Sequence, residues 1–365
     1  MIDEGYMKQA LYLAKKGLGK TSPNPMVGAL IVKHNQIIGK GYHKQFGGKH
    51  AEINAIENAR EDISGATLYV TLEPCCYHGK TPPCVEAIIQ NNIGKVIIGT
   101  LDPNPRVNGK SAAILRQQGI DTKVGILEEE CRSLNEAHFK HMTAGVPLVT
   151  VKFAQTLDGR IATSTGNSQW LSSPASQRFA HKLRTLNDAI MVGAGTILID
   201  NPQLTVRLVK GRNPTRIVLD SKLRIPPDSK VLMNQESAPT IIATTSLAND
   251  ERLSALRQMG IETLITQEDE RGEVDLGNLL KMLGQRGISS VLVEGGAQTI
   301  TSLLRLNLVD RLVAIVAPKL MGKGIEAVGE LNIADVSQTL KLSFSRTHRL
   351  GADLVIEARL EPTRS

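Results

Sequence analysis

His50-Ala51-Glu52, followed by Pro74-Cys75 and later by Cys84, constrains this chain more than any other feature in it. One imidazole and two thiols are borderline or soft donors, the set that holds Zn²⁺ through three protein ligands and leaves a fourth position open. To share one ion they must converge from separate elements. His50 opens a helical stretch, His50 to Arg60; Cys75 follows an apolar strand, Ala66 to Leu72; Cys84 follows Pro82-Pro83, a good helix start. Ligands at helix N-termini meet the positive dipole end, which favours thiolate over thiol. Glu52 is not needed as a ligand and is free to move protons. The competing reading is a closed structural zinc site, or cysteines that are merely buried. A closed site wants a fourth ligand, and Cys76 would have to point away from Cys75 while His78 stands alone.

A His-x-Glu…Pro-Cys constellation is that of the zinc deaminases, in which a metal-activated water attacks an amidine-like ring carbon and the glutamate carries protons to the departing ammonia. Nucleobase editors place two residues between their cysteines, whereas here Cys76 to Pro83 intervene, a segment rich in loop formers that can arch outward.

Composition narrows the setting. A chain of 365 residues, 41% hydrophobic and 22% charged, accommodates two globular domains. No apolar run reaches the length of a membrane span, and the acidic start Met1-Ile2-Asp3-Glu4 is not that of a signal peptide. Four cysteines, two of them in the metal motif, suit a reducing cytoplasm and not a disulfide framework. A net charge of +7 invites a nucleic-acid partner, but aromatics are only 3% and the cations are dispersed, so base-stacking platforms are scarce. A small phosphorylated anion explains the basicity better; neither nucleic acid nor membrane is expected as a partner.

Two halves are visible. Met7 to Lys16 reads as an amphipathic helix, Val27–Val32 and Gln36–Gly41 as a hairpin about His34-Asn35, Lys95–Gly99 as a strand, and Glu128–Met142 as one long helix. Cys131, His138 and His141 on that helix lack metal-type spacing and read as packing or surface residues. Ala144-Gly145-Val146-Pro147 forms a linker, giving domains 1–145 and 146–365. The second half alternates strands (Leu148–Gln155, Asp188–Gly193, Arg216–Asp220, Thr240–Thr244, Ser290–Glu294, Leu312–Pro318) with helices (Pro174–Leu186, Asn278–Arg286, Ala297–Leu306). That pattern implies a mostly parallel sheet covered on both faces, with Glu361–Ser365 a loose tail. Two strand–glycine–helix junctions, Val192-Gly193-Ala194-Gly195-Thr196 and Glu294-Gly295-Gly296-Ala297, suit a phosphate-bearing ligand, although neither is a G-x-G-x-x-G fingerprint.

At this point a family resemblance enters. Ser22-Pro23-Asn24-Pro25-Met26-Val27-Gly28, Gly41-Tyr42-His43, His50-Ala51-Glu52, Thr71-Leu72-Glu73-Pro74-Cys75 and Thr81-Pro82-Pro83-Cys84 continue, in the second half, as Lys152 to Gly159, Val192 to Thr196, Asp200 to Arg207 and Glu294-Gly295-Gly296. Over nearly its whole length the chain resembles the bifunctional riboflavin-biosynthesis family that joins a diaminohydroxyphosphoribosylaminopyrimidine deaminase to a 5-amino-6-(5-phosphoribosylamino)uracil reductase. The wide cysteine gap belongs to that family.

The resemblance implies an α/β protein: a cytidine-deaminase-like three-layer α/β/α domain followed by a dihydrofolate-reductase-like α/β domain. It implies one Zn²⁺ per chain on His50, Cys75 and Cys84, with Glu52 as proton shuttle, and substrate contacts from Asn24, His43, Lys80, Asp102 and Asn104. For NADPH it implies Ala154, Trp170, Thr196, Asp200, Ser221 and the run Gly296, Ala297, Gln298, Thr299, Ile300, Thr301 and Ser302. For the ribose-phosphate substrate it implies Lys152, Ser168, Arg184, Leu204, Arg207 and Glu294, the two arginines suiting the phosphate. Asp220 ends a strand where a 2′-phosphate is expected, and an acid there favours NADH; Ser221, Lys222 and Arg224 follow and offset it. Lys152, Asp200 and Glu294 remain open as proton donors. A homo-oligomer, dimer or tetramer, is expected by resemblance alone. The rivals are a nucleic-acid base deaminase, which predicts salt-sensitive binding, and a structural zinc protein, which leaves Glu52 without a purpose.

Overall fold

A computed structural model describes residues 2–79, 82–169 and 171–361. The roles expected of Lys80 and Trp170, and the tail beyond Glu361, fall outside these residues. The chain divides into two compact units, Met1–Gly145 and Val146–Ser365. Among the described residues no helix is long and apolar enough to cross a membrane.

In the first unit α1 (Ile2–Ala14) precedes a hairpin of β1 (Gly28–Lys33) and β2 (Gln36–Tyr42); α2 (Ala51–Glu57), β3 (Thr67–Leu72), α3 (Cys84–Gln90), β4 (Lys95–Thr100), α4 (Lys110–Gln117) and β5 (Asp121–Val124) follow. α5 (Glu128–Leu134) and α6 (Glu136–Ala144) close it. The hairpin turns at His34 (φ 49°) and Asn35 (φ 62°), the left-handed pair a two-residue turn demands. The sheet order is β2-β1-β3-β4-β5, antiparallel about β1 and parallel from β3 to β5. Strand alternation builds two cores. Ala29, Ile31, Leu68, Val70, Val96 and Ile98 pack with α2, α3 and α4, while Leu30, Val32, Tyr69 and Ile97 pack with α1 and Cys131 of α5. The result is three layers. Gly28 and Gly41 are there because helices cross at backbone contact: a Cβ on Gly28 would strike the Ala10 carbonyl of α1, and one on Gly41 the Ala51 carbonyl of α2.

Two expectations are corrected here. The stretch 128–142 is two helices, not one, because Asn135 leaves helical geometry (φ −115°, ψ 27°) to bond both polar groups of the Met26 backbone, accepting from its N–H at 2.8 Å and donating to its carbonyl at 2.9 Å. The helix expected over 50–60 is only Ala51–Glu57, with His50 as its extended N-cap and Asn58 ending it.

The second unit runs β6 (Leu148–Thr156), β7 (Arg160–Thr163), α7 (Pro174–Leu186), β8 (Ala189–Gly193), α8 (Ala194–Asp200), β9 (Thr215–Leu219), β10 (Thr240–Thr244), α9 (Asp250–Gln258) and β11 (Glu262–Ile265). It continues with α10 (Leu276–Gln285), β12 (Ser290–Glu294), α11 (Ala297–Arg305), β13 (Arg311–Ala317), β14 (Gly324–Glu326), β15 (Leu342–Leu350) and β16 (Asp353–Leu360). Ser173 caps α7 by accepting the Ser176 N–H, with Pro174 in the first turn, as its sequence predicts. Leu276, Leu279, Leu280 and Leu283 form one stripe of α10, each contributing roughly 2 kcal/mol by burial against β6, β8 and β12. α8 and α9 cover the opposite face through Ile197, Leu253 and Leu256.

The nine-stranded sheet has the order β11-β10-β9-β8-β12-β6-β13-β16-β15. It is parallel from β11 to β13, but β13–β16 and β16–β15 are antiparallel. The expectation of covered faces therefore fails at the far end, where β15 is mostly exposed. Its Ser-Arg-Thr-His-Arg run puts polar groups on both faces and gives no apolar stripe to bury.

Candidate functional site

The three metal-type residues meet. Cys75 lies just beyond β3, Cys84 opens α3 after the extended Pro83, and His50 caps α2. His50 Nδ1 lies 3.5 Å from Cys75 Sγ and 3.3 Å from Cys84 Sγ, and the donor atoms all fall within 4.8 Å of one another. Zinc–nitrogen and zinc–sulfur bonds of ordinary length set tetrahedral N···S edges of about 3.5 Å, so the donor set fits that ion. Its charge state fits too. Hydrogen bonds from Cys84 and His50 hold the Cys75 thiol well below the ordinary range, while the hydrogen bond to Cys75 and burial push Cys84 well above it. Two thiols this close share one negative charge, and a divalent cation is what lets both ionise. Among the described residues no fourth histidine, cysteine or carboxylate joins the cluster.

Glu52 stands in the first turn of α2 and is buried. Burial outweighs the nearby imidazole and lifts its carboxyl to about 7, poised to accept and release a proton near neutrality.

Of the expected substrate residues, His43 adjoins this cluster and Asn24 bonds to His43. Lys49 O accepts from His43 Nδ1 at 3.0 Å, which leaves Nε2 to accept from Asn24 Nδ2 at 3.3 Å; the His43 and His50 rings sit edge to face at 5.5 Å. Asp102 and Asn104 lie in the loop after β4. Asn104 N–H donates to Asp102 Oδ1 at 2.9 Å, and Asn104 Nδ2 reaches the Tyr77 hydroxyl at 3.5 Å. Arg106 stacks over the Tyr77 ring at 3.9 Å, joining this loop to the arch between the cysteines.

Two residues here escaped sequence reasoning. Glu73, buried one residue before Pro74, accepts four backbone N–H groups: Asp102 and Gly109 on Oε2, Ser111 and Ala112 on Oε1. It thus joins the end of the metal-bearing strand to the Asp102 loop and the start of α4. His138, read as packing, places Nε2 3.2 Å from Asp102 Oδ1. Glu73 lies within the Thr71–Cys75 motif, so its sequence carries a signal; that of His138 carries none.

In the second unit the glycine turns lie side by side, because β8 and β12 are parallel neighbours. A Cβ on Gly193 would come within 2.9 Å of Thr299 Oγ1, one on Gly296 within 3.3 Å of Thr196 Oγ1, and Gly295 and Gly296 have φ near +70° (74° and 70°). Both turns sit at the carboxyl ends of parallel strands flanking the point where strand order reverses, where α/β sheets bind their ligands. The space beside Gly195 is open, and backbone N–H groups at such a turn suit a dinucleotide phosphate.

Several expected contacts find other partners. Ile300 is in the hydrophobic core, and the Thr301 hydroxyl is used by Ala297 O and Gly329 N. Ser221 donates to Glu273 Oε2 at 2.5 Å and accepts the Val274 N–H. Of the run from 296 to 302, Gly296, Ala297, Gln298 and Ser302 keep exposed surface, while Thr299 is buried beside Gly193. Ala154 is half-buried on β6. Asp200, raised by burial, has Ser168 as its hydrogen-bond partner. Leu204 is buried in the left-handed region (φ 56°), and the wholly buried Arg216 donates to the preceding Gln203 carbonyl at 3.4 Å, steadying this loop.

Arg184 is not a free phosphate ligand. Its Nε and Nη2 each bond Glu294 at 2.9 Å, and Nη1 bonds the Thr205 carbonyl at 3.0 Å, whereas the Arg207 side chain is engaged only through Nη1, by Gln203 Oε1 at 3.1 Å and Thr205 Oγ1 at 2.9 Å, among the described residues. Lys152 Nζ lies 3.7 Å from Glu294. Burial pushes the Glu294 carboxyl up, but Arg184 and Lys152 overcome it and leave it at about 2. Asp220 does not argue for NADH: it is fully buried and accepts the Ile225 N–H at 2.8 Å, whereas Lys222 and Arg224 are exposed.

Known proteins match both units. A model of the cytidine and deoxycytidylate deaminase zinc-binding region matches residues 1–100, and one of the RibD C-terminal domain matches 147–356. The riboflavin biosynthesis protein RibD of Aquifex aeolicus is 46% identical over 97% of this chain and 98% of its own. The chain belongs to the RibD family. Among solved structures, the Thermotoga maritima diaminohydroxyphosphoribosylaminopyrimidine deaminase/5-amino-6-(5-phosphoribosylamino)uracil reductase is 39% identical, covers 99% of both chains and superposes with a TM-score of 0.86. RibD of Acinetobacter baumannii gives 34%, 99% of both chains and 0.90. A RibD-family chain is a bifunctional deaminase and reductase of riboflavin biosynthesis, with a cytidine-deaminase-like first domain.

Proposed function

We propose that the first unit hydrolyses the 2-amino group of 2,5-diamino-6-ribosylamino-4(3H)-pyrimidinone 5′-phosphate and that the second reduces the ribosyl group of the product to ribityl with NADPH. The observation that carries the reading is the three-donor cluster with buried Glu52 beside it. His50, Cys75 and Cys84 would hold Zn²⁺, which would supply a water activated near neutral pH. Buried Glu52, its carboxyl lifted to about 7, would hold the proton released in that activation and pass it to the ring nitrogen and the leaving amine. Asn24, His43, Asp102 and Asn104 orient the pyrimidine.

In the second unit the paired glycine turns, with Thr196 and Thr299 beside them, would hold the NADPH diphosphate, and Lys222 and Arg224 would meet its 2′-phosphate. Arg207 binds the substrate phosphate. Glu294, held ionised by Arg184 and Lys152, fixes these two cations and is not the proton donor at neutral pH. Lys152 and Asp200 remain the donors to the reduced ribose. Four free cysteines suit a reducing cytoplasm.

Incubation with the phosphorylated pyrimidine, with and without NADPH, tests this by ammonia release and loss of NADPH absorbance. Glu52→Gln is expected to keep zinc and lose deamination by about 10²-fold or more. Ammonia release at the wild-type rate in that variant contradicts the assignment.

A further inference from the structure

We infer that His138 is a positioning residue of the deaminase reaction, acting through Asp102. The inference rests on the reading of Asp102 as a substrate contact. Asp102 Oδ1 accepts from Asn104 N–H and stands 3.2 Å from His138 Nε2, while Oδ2 has no partner among the described residues. Both side chains are nearly buried, 10% exposed for His138 and 13% for Asp102. His138 Nδ1 is buried with no hydrogen-bond partner among the described residues, so Asp102 is the ring's polar partner there. An imidazole so placed must present Nε2–H to the carboxylate, since a carboxylate only accepts.

The arrangement leaves one oxygen of Asp102 fixed by the protein and the other available to a donor on the substrate, such as an amine or hydroxyl. A carboxylate on a loop would otherwise rotate about its χ angles, and substrate binding would have to freeze it. Glu73 prevents the backbone of the same loop from moving, through the Asp102 and Gly109 N–H groups. Backbone and side chain are thus held from opposite chain directions: from the end of β3 by Glu73, and from α6 by His138.

The test compares four variants of the full-length protein by steady-state deamination, zinc content and reductase activity on the deaminated substrate. His138→Phe removes the donor, and His138→Asn keeps polarity but does not reach Asp102. His138→Gln restores an amide N–H near the position of Nε2. Asp102→Ala tests the underlying reading. Expected are a KM for the pyrimidine raised about ten-fold in the Phe and Asn variants with kcat changed less than about two-fold, the size of one charge-assisted hydrogen bond. Substantial recovery is expected in the Gln variant, with zinc content and reduction unchanged in all. Unchanged KM in both Phe and Asn variants, alongside a raised KM in Asp102→Ala, overturns the role of His138 alone. Unchanged KM in Asp102→Ala overturns the contact assigned to Asp102, and the inference with it. Zinc loss accompanying a kcat fall in the His138 variants means a structural role and also overturns it.

Discussion

The His50–Cys75–Cys84 cluster and the paired glycine turns of the second unit are built on opposite principles. The first concentrates its chemistry in few residues: three donors within 4.8 Å and one carboxylate that burial lifts to about 7. The second spreads its chemistry over backbone turns and a charge network, in which the Glu294 carboxyl is held down to about 2. A zinc site demands particular side chains, since few residue types ligate the metal. A diphosphate cradle demands bare backbone at a strand end, which many sequences provide. The two centres should therefore fail in different ways when perturbed.

The largest effect is expected at the metal. Cys84→Ser should drop zinc occupancy and bring ammonia release to background while reduction of the deaminated substrate persists. Next comes the buried ion pair. Arg184→Leu strands Glu294 and should destabilise the second unit by about 3–5 kcal/mol, read by denaturant unfolding, with deamination untouched below the transition. A melting temperature within 2 °C or so of wild type would show that the pair is not buried in the way described.

Acid should separate the units as well. Glu294 titrates in the folded state at about 2, below its ordinary 4.5, so its stabilising effect is complete above about pH 4.5 and is lost as pH falls towards 2. His181, which accepts the Arg207 N–H at 2.9 Å, is pushed down to about 4 by burial and by Arg184 and Arg207. Its neutral form stabilises fully above pH 6.5, and that contribution is lost as pH falls towards 4. Glu73 in the first unit is shifted upward by burial and behaves oppositely, gaining from acid. Hydrogen exchange should show protection lost first around α7 as pH falls from 6.5 to 4, and around β12 only below about pH 4.5. Earlier loss around β3 and β4 would reverse the contrast. The smallest effect concerns the cofactor: Lys222→Ala should raise the KM for NADPH about five- to ten-fold and leave that for NADH unchanged.

How much was legible follows the same division. His50, Glu52, Cys75 and Cys84 could be read because metal chemistry restricts residue type and spacing. The hairpin was legible because His34-Asn35 accepts left-handed backbone between alternating apolar residues. The central strands were legible as short apolar runs, for a sheet covered on both faces leaves no polar alternation. What stayed hidden acts through distant partners. Asn135 ends a helix for the sake of Met26, far away in sequence. Arg184 is expected at the substrate phosphate from its sequence, and a lone arginine gives no hint that Glu294 pairs with it. His181 likewise shows its purpose only when the Arg207 backbone is brought to it.

Metal removal tests the division of labour most directly. Protein stripped with a chelator, then titrated with zinc, should lose ammonia release completely and regain it at one equivalent. NADPH oxidation on supplied deaminated substrate should hold constant throughout. Deamination surviving in the stripped protein, or reduction that rises and falls with the metal, would contradict the account.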